Sequence, residues 1–301
     1  MVEGNSKIYR LKNITDLCSN NGLNNGLKKP EFRLTEIKSL MRFWWRALNF
    51  YTNASTMKKE EENIFGNSDT YKSPIIFKTE SNGFKYDDGS HEVRKNNKPI
   101  NCFKSGKIVE IKLSVYKRKI NQKEYINKEL YFYDNLLKIS LILGGIGKRS
   151  RRGCGVFMLE ENDKECNLKN QIKSYMENLN VNKYYEFSKE NDKYLELVRK
   201  DEYRNKKFKY PYIEEIIISK EAVSEEYFYI KIKESIDATR NEKFQYKDYK
   251  CEKLACPVYV TCYGDSNELY PIIVKLYNTN QHETYDNYYK KFKEVILCSK
   301  E

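Results

Sequence analysis

The chain has 301 residues, 40% of them hydrophobic and 14% aromatic, and a formal charge of +12. That length suits roughly two domains with real cores, and the positive balance points to an anionic partner, nucleic acid foremost. The composition excludes a helical membrane span, because no segment reaches the roughly 18 apolar residues a bilayer requires.

The start, Met1-Val2-Glu3-Gly4-Asn5, has no signal-peptide core, so the expectation is a cytoplasmic protein with no membrane partner. Eight scattered cysteines in a chain of this size read as free thiols in a reducing compartment. Cys251, Cys256 and Cys262 form the one cluster in sequence; their spacing is not that of a zinc site and no histidine lies near, so no metal is expected.

Residues 8–14 alternate apolar and polar side chains and predict a first strand. Two Asn-Asn-Gly turns follow, and Pro30 closes that loop. Thr35 is the expected N-cap of a helix from Glu36 to about Tyr51, with Ile37, Leu40, Met41, Trp44, Leu48 and Tyr51 on its apolar face. Lys38, Arg42 and Arg46 recur at one helical spacing and form a cationic ridge, for which only Glu36 is a local acidic partner. Trp45 beside that ridge is a candidate platform for a stacked base; Trp44 reads as core.

Ile64-Phe65-Gly66 reads as a short helix end or turn, and 73–77 as the start of a strand. The polar, turn-rich stretch from Glu80 to Lys107 reads as a long loop. Residues 108–116 alternate as a strand, and 129–143 read as a second helix ended by Gly144-Gly145. A strand at 156–159 completes the order strand, helix, strand, strand, helix, strand, which is the ferredoxin-like βαββαβ arrangement and also the RRM scaffold. No RNP1-like stretch is present, so an ordinary RRM is not expected.

Residues 160–170 read as a linker, which places one domain at 1–160 and a second at 161–301. Within the second, helices are expected around 171–179 and 192–203 and strands at 213–219, 227–232, 257–263 and 271–277. A basic, aromatic stretch covers 240–250, and a last helix 285–298. The fold class is therefore α+β, with two ferredoxin-like domains in tandem.

The richest stretch for chemistry runs Gly144-Gly145-Ile146-Gly147-Lys148-Arg149-Ser150-Arg151-Arg152-Gly153-Cys154-Gly155. Glycine lets backbone approach a ligand closely, turn N–H groups can cradle an anion, and arginine forks match phosphate oxygens. The spacing fits neither a Walker A loop nor a dinucleotide fingerprint. The two histidines, His91 and His282, belong to no recognisable catalytic pattern. His91 with Asp87 or Asp88 is the one arrangement that could serve metal-independent RNA cleavage. No cofactor motif is present.

Together the helix Thr35-Glu36-Ile37-Lys38-Ser39-Leu40-Met41-Arg42-Phe43-Trp44-Trp45-Arg46-Ala47, the turn Ile64-Phe65-Gly66, Ser73-Pro74 and the glycine-arginine loop resemble the first RAMP subunit of type III-B CRISPR–Cas effector complexes. Ser39 departs from the family's usual glycine, and the first strand lacks its usual Thr-Pro and Gly-Gly. The matching motifs lie within residues 33–155; beyond them only Leu254-Ala255-Cys256-Pro257-Val258-Tyr259 looks similar.

The resemblance implies a non-catalytic, RNA-binding subunit of an antiviral ribonucleoprotein complex. It would meet guide RNA and target RNA near the guide 3′ end, with other RAMP subunits as partners. The site residues expected on this reading are Lys38, Arg42, Trp45 and Arg46 on the helix, with Gly144, Gly145, Gly147, Lys148, Arg149, Arg151 and Arg152 in the loop. The alternative is a metal-independent endoribonuclease that processes CRISPR RNA.

Overall fold

The computed structural model describes residues 5–20, 29–51, 53–69, 72–85, 89–91, 100–120, 123–125, 128–160, 167–204, 210–239, 257–265, 267–277 and 283–297. The first half opens with β1 (Ser6–Asn13), α1 (Leu34–Leu48), α2 (Ala54–Phe65) and β2 (Ile75–Asn82). A short ribbon, β3 (Gly89–His91) with β4 (Ile100–Cys102), leads to β5 (Ile108–Val115). A second ribbon, β6 (Arg118–Ile120) with β7 (Lys123–Tyr125), precedes α3 (Leu130–Leu143) and β8 (Phe157–Leu159). The main strands form one antiparallel sheet in the order β2-β5-β1-β8.

Alternation drives this sheet. Val109, Ile111, Leu113 and Val115 of β5 are buried while the residues between them are half-exposed, the period-2 pattern of a sheet with one covered face. Tyr9 and Leu11 of β1 are buried in the same apolar core as Trp44 and Leu48 of α1 and Leu136 of α3.

The second half contains α4 (Leu168–Asn178), β9 (Tyr185–Glu190), β10 (Tyr194–Arg199), the single turn α5 (Asp201–Arg204), β11 (Ile213–Ser219), α6 (Glu225–Ala238), β12 (Val258–Asp265), β13 (Glu268–Leu276) and α7 (Glu283–Leu297). Its five strands pair antiparallel in the order β12-β13-β11-β10-β9. Both faces of this sheet are covered. Ile216 and Ile218 join the same core as β1, α1 and α3, whereas Ile217, Val260 and Ile273 pack under α6 and α7 with Phe228 and Phe292. One apolar core thus runs from the first sheet through α1 and α3 to the second.

Two expected elements are corrected. Residues 227–232 are not a strand but the middle of α6, which Ser224 caps by accepting from the Tyr227 N–H. Residues 192–203 are not a helix; they hold β10, whose Leu195, Leu197 and Arg199 point inward, and then the turn α5. Ile64-Phe65-Gly66, read as a short helix end or turn, is the C-terminal end of the Asn53-capped helix α2, with Gly66 as its C-cap. The first helix also begins at Leu34, with Arg33 rather than Thr35 at its N-cap. The stretch 240–250 lies outside the described residues.

Asp134 of α3 ties the helix layer to the first sheet. It accepts from Lys7 Nζ (3.0 Å), the Tyr9 hydroxyl (2.8 Å) and Lys138 Nζ (2.9 Å). Burial pushes its carboxyl up, but the hydrogen bonds from Lys138, Lys7 and Tyr9 outweigh burial and hold its pKa below the ordinary value. A depressed folded-state pKa gives stability that is present above the unfolded value, near 4, and is lost as pH falls through the folded one. Asp134→Asn should therefore destabilise at pH 7, by about 1 kcal/mol, and differ little from the parent once pH drops below the folded-state pKa. Denaturant midpoints measured for both proteins from pH 7 downward check this; a gap that stays constant across that range would refute it.

Candidate nucleic-acid interface

The loop from Gly144 to Gly155 leaves α3 and threads between the two halves. Its peptide groups are largely committed to protein. Lys148 N–H donates to the Cys18 carbonyl (2.7 Å) and Gly155 N–H to the Asp16 carbonyl (2.8 Å), both in the segment after β1. On the other side Gly153 N–H donates to the Val260 carbonyl (2.9 Å), and Val260 N–H to the Arg151 carbonyl (3.1 Å), on β12. The loop is a clasp between the sheets.

This changes what its glycines do. A Cβ on Gly144 would come within 2.8 Å of Trp44 Nε1, one on Gly145 within 2.2 Å of the Cys154 carbonyl, and one on Gly147 within 2.9 Å of the Cys18 carbonyl. The close approach expected toward a ligand backbone is used at these positions against the protein itself. Arg149 adopts φ 65°, a left-handed conformation rare outside glycine.

The loop cations divide. Lys148 is exposed, and Arg149 and Ser150 are half-exposed. Arg151 donates to the Tyr259 hydroxyl (3.0 Å) and lies over that ring at 5.3 Å. Arg152 donates to the Tyr288 hydroxyl (3.1 Å) and lies over Phe292 at 5.0 Å, holding the loop to α7.

On α1, Trp45 is 3% exposed and packs against Tyr51 and Phe65. It is core, and its ring is not open to a base. Arg42 Nε and Arg46 Nη1 both donate to Glu61 Oε1, at 2.8 and 2.7 Å, from α2. Glu61 lies 15 residues beyond Arg46 in sequence, so a search for local partners on α1 missed it. The two arginine side chains remain about one-third exposed, so together with the single Glu61 they present a net positive surface.

The ridge and the loop do not line a common channel. A cleft of about 480 Å³ lies between Lys38, Arg42, Lys58, Glu61 and the 65–69 turn. A separate cleft of about 300 Å³ lies between the loop and the other flank of α1, lined by Ser19, Arg33, Glu36, Phe43, Lys148 and Tyr259 among others. Helix α1 stands between the two.

A second cluster escaped sequence reading. Cys18, Cys102 and Cys154, far apart in the chain, are buried together beside the loop. The Cys102 contact pulls the Cys18 thiol down, but its hydrogen bond with Cys154 and burial push it up further; the hydrogen bond to Cys18 and burial do the same for Cys102. Cys18 and Cys102 are therefore protonated packing groups at neutral pH. Among the described residues no group of His, Cys, Asp and Glu is arranged to hold a metal ion. Cys262 is buried in β12, while Cys251 and Cys256 lie outside the described residues. His91 falls in β3; His282, Asp87 and Asp88 lie outside the described residues. No helix among the described residues is long and apolar enough to cross a membrane.

Residues 10–158 match the RAMP superfamily. The fold is similar to that of Cmr1 from Pyrococcus furiosus in its apo form, with TM-score 0.59, 15% identity, and 97% of this chain and 95% of that one covered. It is also similar to a chain of the type III-B Cmr-beta complex bound to cognate target RNA, with TM-score 0.54, 12% identity, and 98% and 100% covered. No curated protein sequence matches the chain significantly.

Proposed function

Since residues 10–158 match the RAMP superfamily, we propose that the protein is a non-catalytic RNA-binding subunit of a type III-B CRISPR–Cas RNA-targeting effector complex. On this reading it contacts guide RNA, target RNA or both near the guide 3′ end, in the cytoplasm, beside other RAMP subunits. The observation that carries the reading is the glycine-arginine loop, hydrogen-bonded between the two halves with Lys148 exposed and Arg149 half-exposed on it. A phosphate backbone is the ligand such fixed cations suit.

The fold supports the reading in a finer way. β1-α1-β2-β5-α3-β8 with sheet order β2-β5-β1-β8 has the connectivity of a ferredoxin-like unit. In the second half β13 lies between β11 and β12, as a split βαβ requires, and β10 takes the place beside β11 that a fourth strand would fill. We read residues 1–160 and 161–301 as two such units in tandem, the second permuted.

The test is salt dependence. Single-stranded RNA binding should weaken with salt at a slope of about −0.7 per phosphate contact. Lys148→Ala combined with Arg149→Asn, chosen because asparagine tolerates the left-handed backbone, should flatten that slope by about 1.4. Filter binding between low and moderate salt measures it, and an unchanged slope would remove the loop from the interface. Labelled RNA incubated with the protein in EDTA should stay intact; site-specific cleavage would favour the nuclease reading instead. Co-purification from the host should bring down guide RNA and further RAMP subunits.

A further inference from the structure

We propose that the bare face of the first sheet docks an acidic, apolar segment of a neighbouring protein subunit, an inference that rests on the reading of this chain as part of an effector complex. The inward residues of β1 and β5 share a core with α1 and α3. Alternation sends Ile8, Lys112, Ser114, Ile76 and Lys78 to the opposite face, where all stay exposed or half-exposed. Of the five exposed large apolar side chains among the described residues, three lie here. They are Ile8 at 55%, Ile76 at 44% and Tyr116, the residue after β5, at 48%. Single exposed apolar side chains are ordinary, but a group of them marks a surface that meets a partner.

The charges say which partner. Two adjacent cross-strand rows hold the middle of this face: Ser6, Ser114 and Ile76, then Ile8, Lys112 and Lys78. Lys112 and Lys78 are therefore directly opposite, and like charges so placed destabilise a sheet. Neither has an ion-pair or hydrogen-bond partner among the described residues. A carboxylate arriving over them removes the repulsion. Further along β1, Arg10 and Lys12 are already matched by Glu160 and Asp265, and Glu110 lies opposite Arg10. An incoming acid thus belongs at the apolar end, over the lysine pair.

The same face is poorly made for RNA. Ferredoxin-like sheets that bind RNA stack bases on aromatic side chains of the sheet, and here the middle positions are Ile8, Lys112 and Ser114. Tyr116 is the one exposed ring of the set and lies at the margin. Isoleucine gives a base no ring to stack on. An apolar centre with charges matched across it is how protein surfaces meet.

The experiment uses the full chain, tagged in its host, with the photocrosslinking residue p-benzoylphenylalanine in place of Ile8 or, separately, of Ile76. Irradiation should join each variant to another subunit, through a peptide with Asp or Glu near the junction. Lys78→Glu combined with Lys112→Glu should lower recovery of that subunit about tenfold. The salt slope of the purified chain on single-stranded RNA should not change. Neither lysine is buried, so the core is untouched, and an unchanged thermal midpoint verifies it. Crosslinks to RNA, or a slope flattened by the lysine substitutions, overturn the proposal in favour of a nucleic-acid surface. Subunits that co-purify with the parent yet form no crosslink here, or survive the charge reversal, refute the docking face and leave complex membership intact. A parent chain that brings down no subunit removes both this face and the reading beneath it.

Discussion

Gly155→Ala should destabilise the protein by about 3 kcal/mol or more. Gly155 has φ 67°, and a Cβ there would sit 2.0 Å from the Ile146 carbonyl oxygen, a backbone atom with nowhere to move. The same residue accepts from the Ile146 N–H and donates to Asp16, so relief of the clash breaks the clasp. Gly106→Ala is the control. Gly106 has φ 91° but open space around a Cβ, so it carries backbone strain alone, about 1 kcal/mol. Urea unfolding followed by circular dichroism should separate the two variants; equal losses would mean that the contact contributes nothing.

Arg199→Ala should cost about 3 kcal/mol, a desolvated cation–π contact together with a partly collapsed cavity. Arg199 projects from β10, is 3% exposed, and places its guanidinium carbon 4.6 Å from the Phe50 ring centre and 4.4 Å from that of Tyr212. Phe50 follows α1 and Tyr212 precedes β11, so the sandwich joins the two halves. Arg199→Met keeps most of the volume and loses the charge. Thermal denaturation of both variants distinguishes the causes: a loss confined to Ala assigns the effect to packing, and an equal loss in Met assigns it to the cation.

The first half was legible because its signals are local. Alternation in 108–116, the apolar spacing of α1 and the run before Gly144 each contain the element they predict. In the second half the same rules misread. Tyr227-Phe228-Tyr229-Ile230-Lys231-Ile232 has the aromatic and β-branched content of a strand, yet Ser224 with Glu225 and Glu226 behind it is a helix start. That cap was the available signal.

The candidate site was legible in type and not in arrangement. The sequence identifies a cationic helix and a cationic loop. It could not reveal that Glu61 arrives from α2 to hold Arg42 and Arg46, or that Arg152 is spent on α7. Nor could it show which flank of α1 the loop faces. Pairings between distant segments depend on packing, and no spacing encodes them.

The clasp also limits what length the loop can have. Lys148 is tied to Cys18 and Gly153 to Val260, and the segment between those anchors must bridge a fixed gap. One inserted residue would detach an anchor or buckle the span, whereas a loop free of such anchors can grow at little cost. Change in this part of the molecule is therefore confined to which side chains the span displays. Its reach is set by the distance between the sheets.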